Sequence, residues 1–210
     1  MFKEYTAMRM LELSNHSNAL LQKLLQEAPG SYHHSLLVAN IAENCAMAIG
    51  ADVLLVRAGA YFHDVGKMKS PRFFKENQTN DNPHDNLPPE SSVRILNGHT
   101  TEGVAMAKKA KLPDKVIRII QEHHGTMPAM YFYQKARDLY GDATVHIEDY
   151  QYPGPIPSSK ESAIIMLADA AEAAVRACQD HSREKTAEII KNIIEQRCEF
   201  HQLDNCNLSF

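Results

Sequence analysis

The dipeptide His63-Asp64, set in the apolar run Ala60-Tyr61-Phe62-His63-Asp64-Val65-Gly66, constrains this chain more than any other feature. A carboxylate in apolar surroundings is costly unless it is paired or coordinated. Histidines lie on both sides of the pair: His33-His34 upstream, His99 and His123-His124 downstream. Asp169 follows within Ile164-Ile-Met-Leu-Ala-Asp-Ala-Ala171, a second carboxylate in an apolar helical pattern. Unpaired, such a group costs several kcal/mol, so a ligand role accounts for it better than packing does. Imidazole and carboxylate are the donors of a hydrolytic metal centre, and five segments of one small chain supply them.

A chain of 210 residues buries one sizeable core, so a single domain over 1–210 is expected, with 1–28 a helical lead-in and 29–210 the metal-binding core. Hydrophobic residues at 44% and charged residues at 23% fit a soluble globular protein. The net charge of -4 argues against a nucleic-acid polymer as partner, though a metal site supplies local positive charge for a small anion. Cys45, Cys178, Cys198 and Cys206 show no CxxC spacing and read as reduced thiols, with Cys45 packing on a helix face. No stretch reaches the roughly 18 apolar residues of a membrane span. The start, Met1-Phe-Lys-Glu-Tyr5, lacks a basic region followed by an apolar one, so no signal peptide is expected.

The pattern is helical almost throughout. Leu20, Leu21, Leu24 and Leu25 form a stripe that stops at Pro29-Gly30. A run from about Tyr32 to Ile49 places Leu37, Ile41, Cys45 and Ala48 on one face and ends at Gly50. Asp52 caps a helix that reaches about His63 and closes at Gly66. Pro71 to Pro88 reads as a long polar loop, of a length that suggests function or mobility. Beyond it, Pro89-Glu90 opens a short helix towards Asn97, Thr100 caps the next, and Leu112-Pro113 ends that one. Val116, Ile119 and Ile120 point inward on a helix from Pro113 to His124. Met127 to Tyr140 is helical, Asp142 to Pro157 is a second loop, and helices from Ser159 to about Cys178 and Ser182 to about Leu203 close the chain. No strand shows convincing alternation. The predicted fold is all-α.

The order H…HD…H…HH…D, with His63-Asp-Val-Gly-Lys67, resembles the HD superfamily of metal-dependent phosphohydrolases. Further motifs tighten the match: Glu27-Ala-Pro-Gly-Ser-Tyr-His-His-Ser35, Val38-Ala-Asn-Ile-Ala-Glu43, Asn77-Gln78, Asn82-Pro-His-Asp85, His123-His-Gly-Thr126, Tyr152-Pro-Gly-Pro155 and Ser159-Lys-Glu161. Together they are similar to the cytoplasmic HD domain of the seven-transmembrane-receptor HD proteins, the PgpH-type cyclic di-AMP phosphodiesterases, from about Leu11 to Leu208. The resemblance implies an HD-domain helical bundle with a dinuclear metal site. His34, His63, Asp64 and Asp169 would hold a first divalent ion; Asp64 again, with His99, His123 and His124, would hold a second. One carboxylate has two oxygens, so Asp64 would bridge. In the family motif the histidine beside the serine is the ligand, which selects His34 over His33. Several metals accept nitrogen and oxygen donors; the resemblance favours iron or manganese.

The implied reaction opens cyclic di-AMP to linear pApA by metal-activated water, with Asp64 and Lys67 catalytic. Lys67 is read either as a solvated surface lysine or as a contact to substrate phosphate, at even odds. Asn77, Asn82, His84, Asp85 and Lys160 belong to motifs that metal binding leaves unexplained, and are expected, with Lys67, to contact substrate. His84-Asp85 is otherwise a capping element. Met127, Met130, Tyr131 and Tyr133 read as core, or as a surface on which a base stacks. His16, His146, His181 and His201 are expected to face solvent, as is the Lys108-Lys109-Ala110-Lys111 run. Rival readings are a cyclic di-GMP phosphodiesterase of the HD-GYP type, a nucleotide monophosphatase or triphosphohydrolase, and a non-catalytic nucleotide-binding module. The first carries a GYP element after its histidine pair, where this chain has Gly125-Thr126-Met127; the last characteristically lacks ligands. The family carries transmembrane helices ahead of this domain, so the chain is expected to be a cytoplasmic domain tethered to a membrane.

Overall fold

The computed structural model describes residues 6–208; the opening segment read as carrying no signal peptide lies outside the described residues. Nine α-helices occur among them: α1 (Ala7–Leu13), α2 (Ala19–Glu27), α3 (Pro29–Ile49), α4 (Val53–Phe62), α5 (Pro89–Lys109), α6 (Asp114–Glu122), α7 (Met130–Tyr140), α8 (Lys160–Ala177) and α9 (Arg183–Glu199). The described residues contain no strand, only an isolated antiparallel bridge between Pro128 and Gln151. The all-α expectation holds. No helix among them is long and apolar enough to cross a membrane.

α3, α4, α6 and α8 surround the main core, where Val38, Phe62, Ile120 and Ile165 meet. Met10, Leu13, Leu21 and Leu24 from α1 and α2 are buried in the same cluster, so the first two helices share this core. A second cluster, around Val93, Phe132, Ala136 and Tyr150, joins α5 and α7.

Several sequence expectations are corrected. Pro29 does end the preceding pattern, but it also opens α3, three residues before the expected start at Tyr32. Its fixed φ suits the first helical position, where no backbone N–H is needed. The face of α3 is reversed: Val38, Ala39, Ala42 and Ala46 are buried, whereas Leu37 is 49% exposed, Ile41 38%, and Cys45 is exposed too. Small residues let α3 pack closely on α4, and that packing outweighs the larger side chains on the opposite face.

α5 is one helix rather than two. Thr100 is buried in its middle and donates its hydroxyl to the Asn97 carbonyl at 3.0 Å instead of capping. The interior Gly98 costs about 1 kcal/mol. Burial of Val93, His99 and Ala107 exceeds that. α9 stops at Glu199, short of Leu203, and the chain continues in turns that bury Leu203 and Cys206 against Ala163 and Met166.

The segment from Pro71 to Pro88 is not an open loop. It folds into short 3-10 turns at Pro71–Phe73, Lys75–Asn77 and Pro83–Asn86, with Phe74 buried. His16, His33, His146, His181 and His201 are exposed, as is the lysine run.

Candidate metal centre

The ends of two helices and the middles of three deliver the site. α4 ends at Phe62, so His63 and Asp64 fall where the chain leaves helical geometry and both side chains turn inward. A 3-10 turn, Val65–Lys69, follows and lies on α5. Gly66 makes this approach feasible: a Cβ there would stand 1.8 Å from the His99 carbonyl oxygen and 2.5 Å from the Gly103 nitrogen. The glycine of the His63-Asp-Val-Gly-Lys67 motif thus holds Asp64 against the backbone that carries His99. α6 ends at Glu122, leaving His123 as cap and His124 next, and Gly125 turns the chain away with φ +54°. His34 comes from the middle of α3, Asp169 from the middle of α8.

All seven of these side chains converge, and six of them are buried, with His124 partly exposed. Asp64 is central. Its Oδ2 lies 3.2 Å from His63 Nε2 and 3.7 Å from His34 Nε2. Its Oδ1 lies 3.5 Å from His99 Nε2 and 3.8 Å from His123 Nε2. The two oxygens therefore face two different pairs of histidines. Asp169 joins both sides: Oδ1 is 2.8 Å from His34 Nε2, and Oδ2 is 3.7 Å from His124 Nδ1.

Backbone carbonyls orient three of the rings. Nδ1 of His63 is 2.6 Å from the Ala60 oxygen, Nδ1 of His99 is 2.6 Å from Leu96, and Nδ1 of His123 is 2.8 Å from Ile120. A carbonyl only accepts, so each Nδ1 carries a proton and each Nε2 is directed inward. His34 is oriented by Glu172, whose carboxylate accepts from Nδ1 at 2.5 Å. Hydrogen bonds of this kind fix the tautomer of metal-binding histidines.

Protonation reflects the crowding. Burial, reinforced by His63 and His99, holds the His123 pKa down at about 3. Burial likewise lowers His99, and lowers His124 well below the usual histidine value. Burial would also lower His63, but Asp64 and Asp169 outweigh it and hold its pKa at about 10. Both aspartates lie well below the usual carboxylate range, despite burial: His63 and Lys67 hold Asp64 down, and bonds from His34 and His63 hold Asp169 down.

The donor set fits divalent cations. Both oxygens of Asp64 and Nε2 of His63 are fully buried without a hydrogen-bond partner, Oδ2 having only its ion pair with Lys67. Leaving such groups unsatisfied is expensive, and a cation placed among them satisfies all three. Groups with mutually close donor atoms recur around the cluster: His34, His63 and Asp64 on one side; His99, His123 and His124 on the other.

The remaining expected site residues do not converge in this way. Lys67 is buried, not solvated, and its Nζ sits 2.7 Å from Asp64 Oδ2 and 2.8 Å from Glu76 Oε1. Asn77 has both ends of its amide on Ser31, accepting from its backbone N–H at 3.2 Å and donating to its hydroxyl at 2.8 Å. Asn82 accepts from the His84 backbone N–H and donates to exposed Asp85. His84 is packed between Phe73 and Phe132, with Nε2 2.9 Å from the Phe73 carbonyl oxygen. In this structure Asn77, Asn82, His84 and Asp85 help to build the turns of the segment. Polar side chains in an irregular segment satisfy its backbone first. Lys160 opens α8, nine residues before Asp169, or roughly 14 Å along a helix rising 1.5 Å per residue. It too stands away from the cluster.

Some contributors escaped the sequence reading. Glu172 sits three residues after Asp169 on the same face of α8, a spacing that could have revealed it. Glu76 ties Lys67 to the Ser31 hydroxyl, and Tyr152 stacks on His124 with ring centroids 4.2 Å apart. Glu76 has no local signature; Tyr152 lies in the Tyr152-Pro-Gly-Pro155 motif, whose stacking on His124 only the fold shows.

The chain is similar to known proteins in sequence and in fold. The HD domain family model matches residues 31–174, a span holding all seven converging side chains. Cyclic-di-AMP phosphodiesterase PgpH of Bacillus subtilis is 46% identical over 206 residues, 98% of this chain and 29% of the relative. The PgpH of Listeria monocytogenes is 45% identical over 97% of this chain and 28% of its own length. The chain thus spans under a third of the curated relatives it matches. Crystal structures of the L. monocytogenes PgpH HD domain superpose with TM-scores of 0.87, and 0.90 for the complex with cyclic-di-AMP. Each shows 45% identity and covers 93% of this chain and 91% of the other. With this helical frame and this buried arrangement of histidine and aspartate, the chain belongs to the HD domain family.

Proposed function

We propose that this domain is a metal-dependent phosphodiesterase that opens cyclic di-AMP to linear pApA. The observation that carries the reading is the division of Asp64: two buried oxygens facing separate histidine pairs. In this reading His34, His63, Asp64 and Asp169 hold one ion, and Asp64, His99, His123 and His124 hold the other. Iron or manganese suits the nitrogen and oxygen donors. When bound, such a pair polarises a phosphate oxygen and lowers the pKa of the attacking water. The chain's own residues do the rest. Glu172 and three backbone carbonyls lock the imidazoles, so no reorganisation is needed as charge develops. Lys67 holds the Asp64 carboxylate in place through Oδ2, a positioning role rather than a direct phosphate contact. Tyr152 covers His124 and limits access of bulk water on that side.

The substrate rests on the relatives, which carry the cyclic-di-AMP phosphodiesterase name and include a complex with that dinucleotide. The same reading treats residues 1–210 as one unit, cytoplasmic, and tethered to transmembrane helices in a longer protein. The test compares kcat/KM for cyclic di-AMP and cyclic di-GMP at equal metal loading. A site that hydrogen-bonds adenine edges leaves polar groups unpaired against guanine, so a large preference for the adenine compound is expected. Equal values, or the reverse order, overturn the substrate while leaving the metal centre standing.

A further inference from the structure

Beside the metal cluster lies a cavity of about 350 Å³, lined among others by Leu96, His124, Met127, Phe132, Tyr152 and Arg197. Its walls are mainly apolar and aromatic. The one arginine comes from α9, a helix that contributes none of the histidines or aspartates. Arg197 is unusual among the described cations near the site. Lys67 is held by two carboxylates, and Arg176 is paired with Glu172 at 3.4 Å. Arg197 forms no ion pair among the described residues. Its one hydrogen bond runs from Nη1 to the amide oxygen of neighbouring Gln196 at 2.8 Å, and its Nε is buried with no partner.

A guanidinium presents five donors in a planar fork, and leaving the buried Nε–H of Arg197 idle is costly. Asp169 and Tyr152 are near enough to favour its charge but accept no bond from it. A ligand anion in the cavity would take up those donors, and the fork matches the two free oxygens of a phosphodiester. This need is specific to a substrate with two phosphates. The metal cluster engages one, and Lys67, the other cation at the site, is spent on Asp64 and Glu76.

We infer that Arg197 binds the second phosphate of the substrate, the one that is not cleaved, with the cavity between α7 and α9 holding the nucleoside attached to it. This inference rests on the proposed phosphodiesterase reading. Tyr131, exposed at the rim, offers its ring to a base there. Arg197 is in this account a substrate-binding residue that discriminates two-phosphate from one-phosphate substrates.

The experiment measures kcat and KM of wild type, Arg197→Gln and Arg197→Lys with cyclic di-AMP and with bis(p-nitrophenyl) phosphate, a diester with a single phosphate. Arg197→Gln is expected to lose about 10- to 100-fold in kcat/KM for cyclic di-AMP, mostly through KM, as befits a lost charged hydrogen bond. Its loss on the single-phosphate diester should be at least about tenfold smaller, since that substrate has nothing to place on the guanidinium. Arg197→Lys keeps the charge and the long stem and should recover part of the loss. Equal losses on both substrates, in either variant, overturn the inference, because a residue that merely supports the fold or the metal cluster lowers both alike. A wild-type protein that cleaves the single-phosphate diester and leaves cyclic di-AMP intact overturns the proposed substrate instead.

Discussion

The Nε2 atoms of His99 and His123 face each other across 3.1 Å with no proton between them. Each ring has its proton on Nδ1, donated to a carbonyl of its own helix, and both rings are kept neutral by burial. Two lone pairs at hydrogen-bond distance repel. The contact is favourable only with a cation between or beside them, and Asp64 Oδ1, 3.5 Å from His99, is the anion that would complete that site.

Asp64→Asn is therefore expected to remove both ions together and to lower activity by about 1,000-fold or more, several kcal/mol of transition-state stabilisation. Metal content by elemental analysis after gel filtration is the measurement. A variant that keeps its full complement shows that the carboxylate is no bridge. His99→Ala should lose one ion of the two, with the fold retained by circular dichroism.

Glu172→Gln keeps a hydrogen-bond acceptor for His34 but removes the charge that raises the ring's basicity. Metal affinity should fall by about 10- to 100-fold. Competition with a chelator of known affinity measures it. An unchanged affinity would mean that the 2.5 Å contact between Glu172 and His34 orients nothing.

Metal binding should release protons well above neutral pH. An ordinary histidine site gains little from raising the pH beyond about 7.5, a unit above the usual pKa of about 6.5, where the ring is almost wholly neutral. In this fold the His63 pKa is raised to about 10 by Asp64 and Asp169, so the metal-free protein keeps His63 protonated through pH 8. A cation must displace that proton, and affinity accordingly rises with pH up to about 10. Calorimetric titration at pH 8 in buffers of different ionisation enthalpy detects the released proton. Heats that do not depend on the buffer contradict this.

Gly66→Ala should destabilise the fold by about 3 kcal/mol, at the upper end of overpacking costs. The new methyl would meet backbone, the His99 carbonyl at 1.8 Å, and backbone in the middle of α5 does not move aside. Denaturant unfolding reads the loss directly. Gly98→Ala, where nothing lies within 4 Å of the added Cβ, is the control and should stabilise by about 1 kcal/mol.

The helical content of this chain follows from local pattern, and the seven converging side chains are named by that pattern together with the family resemblance, which alone selects His34 over His33 and adds His99. His63-Asp64 and His123-His124 sit before glycines at helix ends, and Asp169 sits alone in an apolar helix; each is visible within ten residues. Tertiary structure alone decided which polar groups remain available. Only the fold brings Lys67 to Asp64 and Glu76, and the Asn77 amide to Ser31, 46 residues away in sequence. The buried face of α3 differs from expectation because two apolar faces compete, and close packing on α4 selects the alanines over Leu37 and Ile41. His34 meets Glu172 across 138 residues, and Arg197 reaches the cavity beside His124 from the last helix. Periodicity and capping act over a few residues, so they write themselves into the sequence; pairing between distant side chains depends on which surfaces pack, and it exists only once the helices have met.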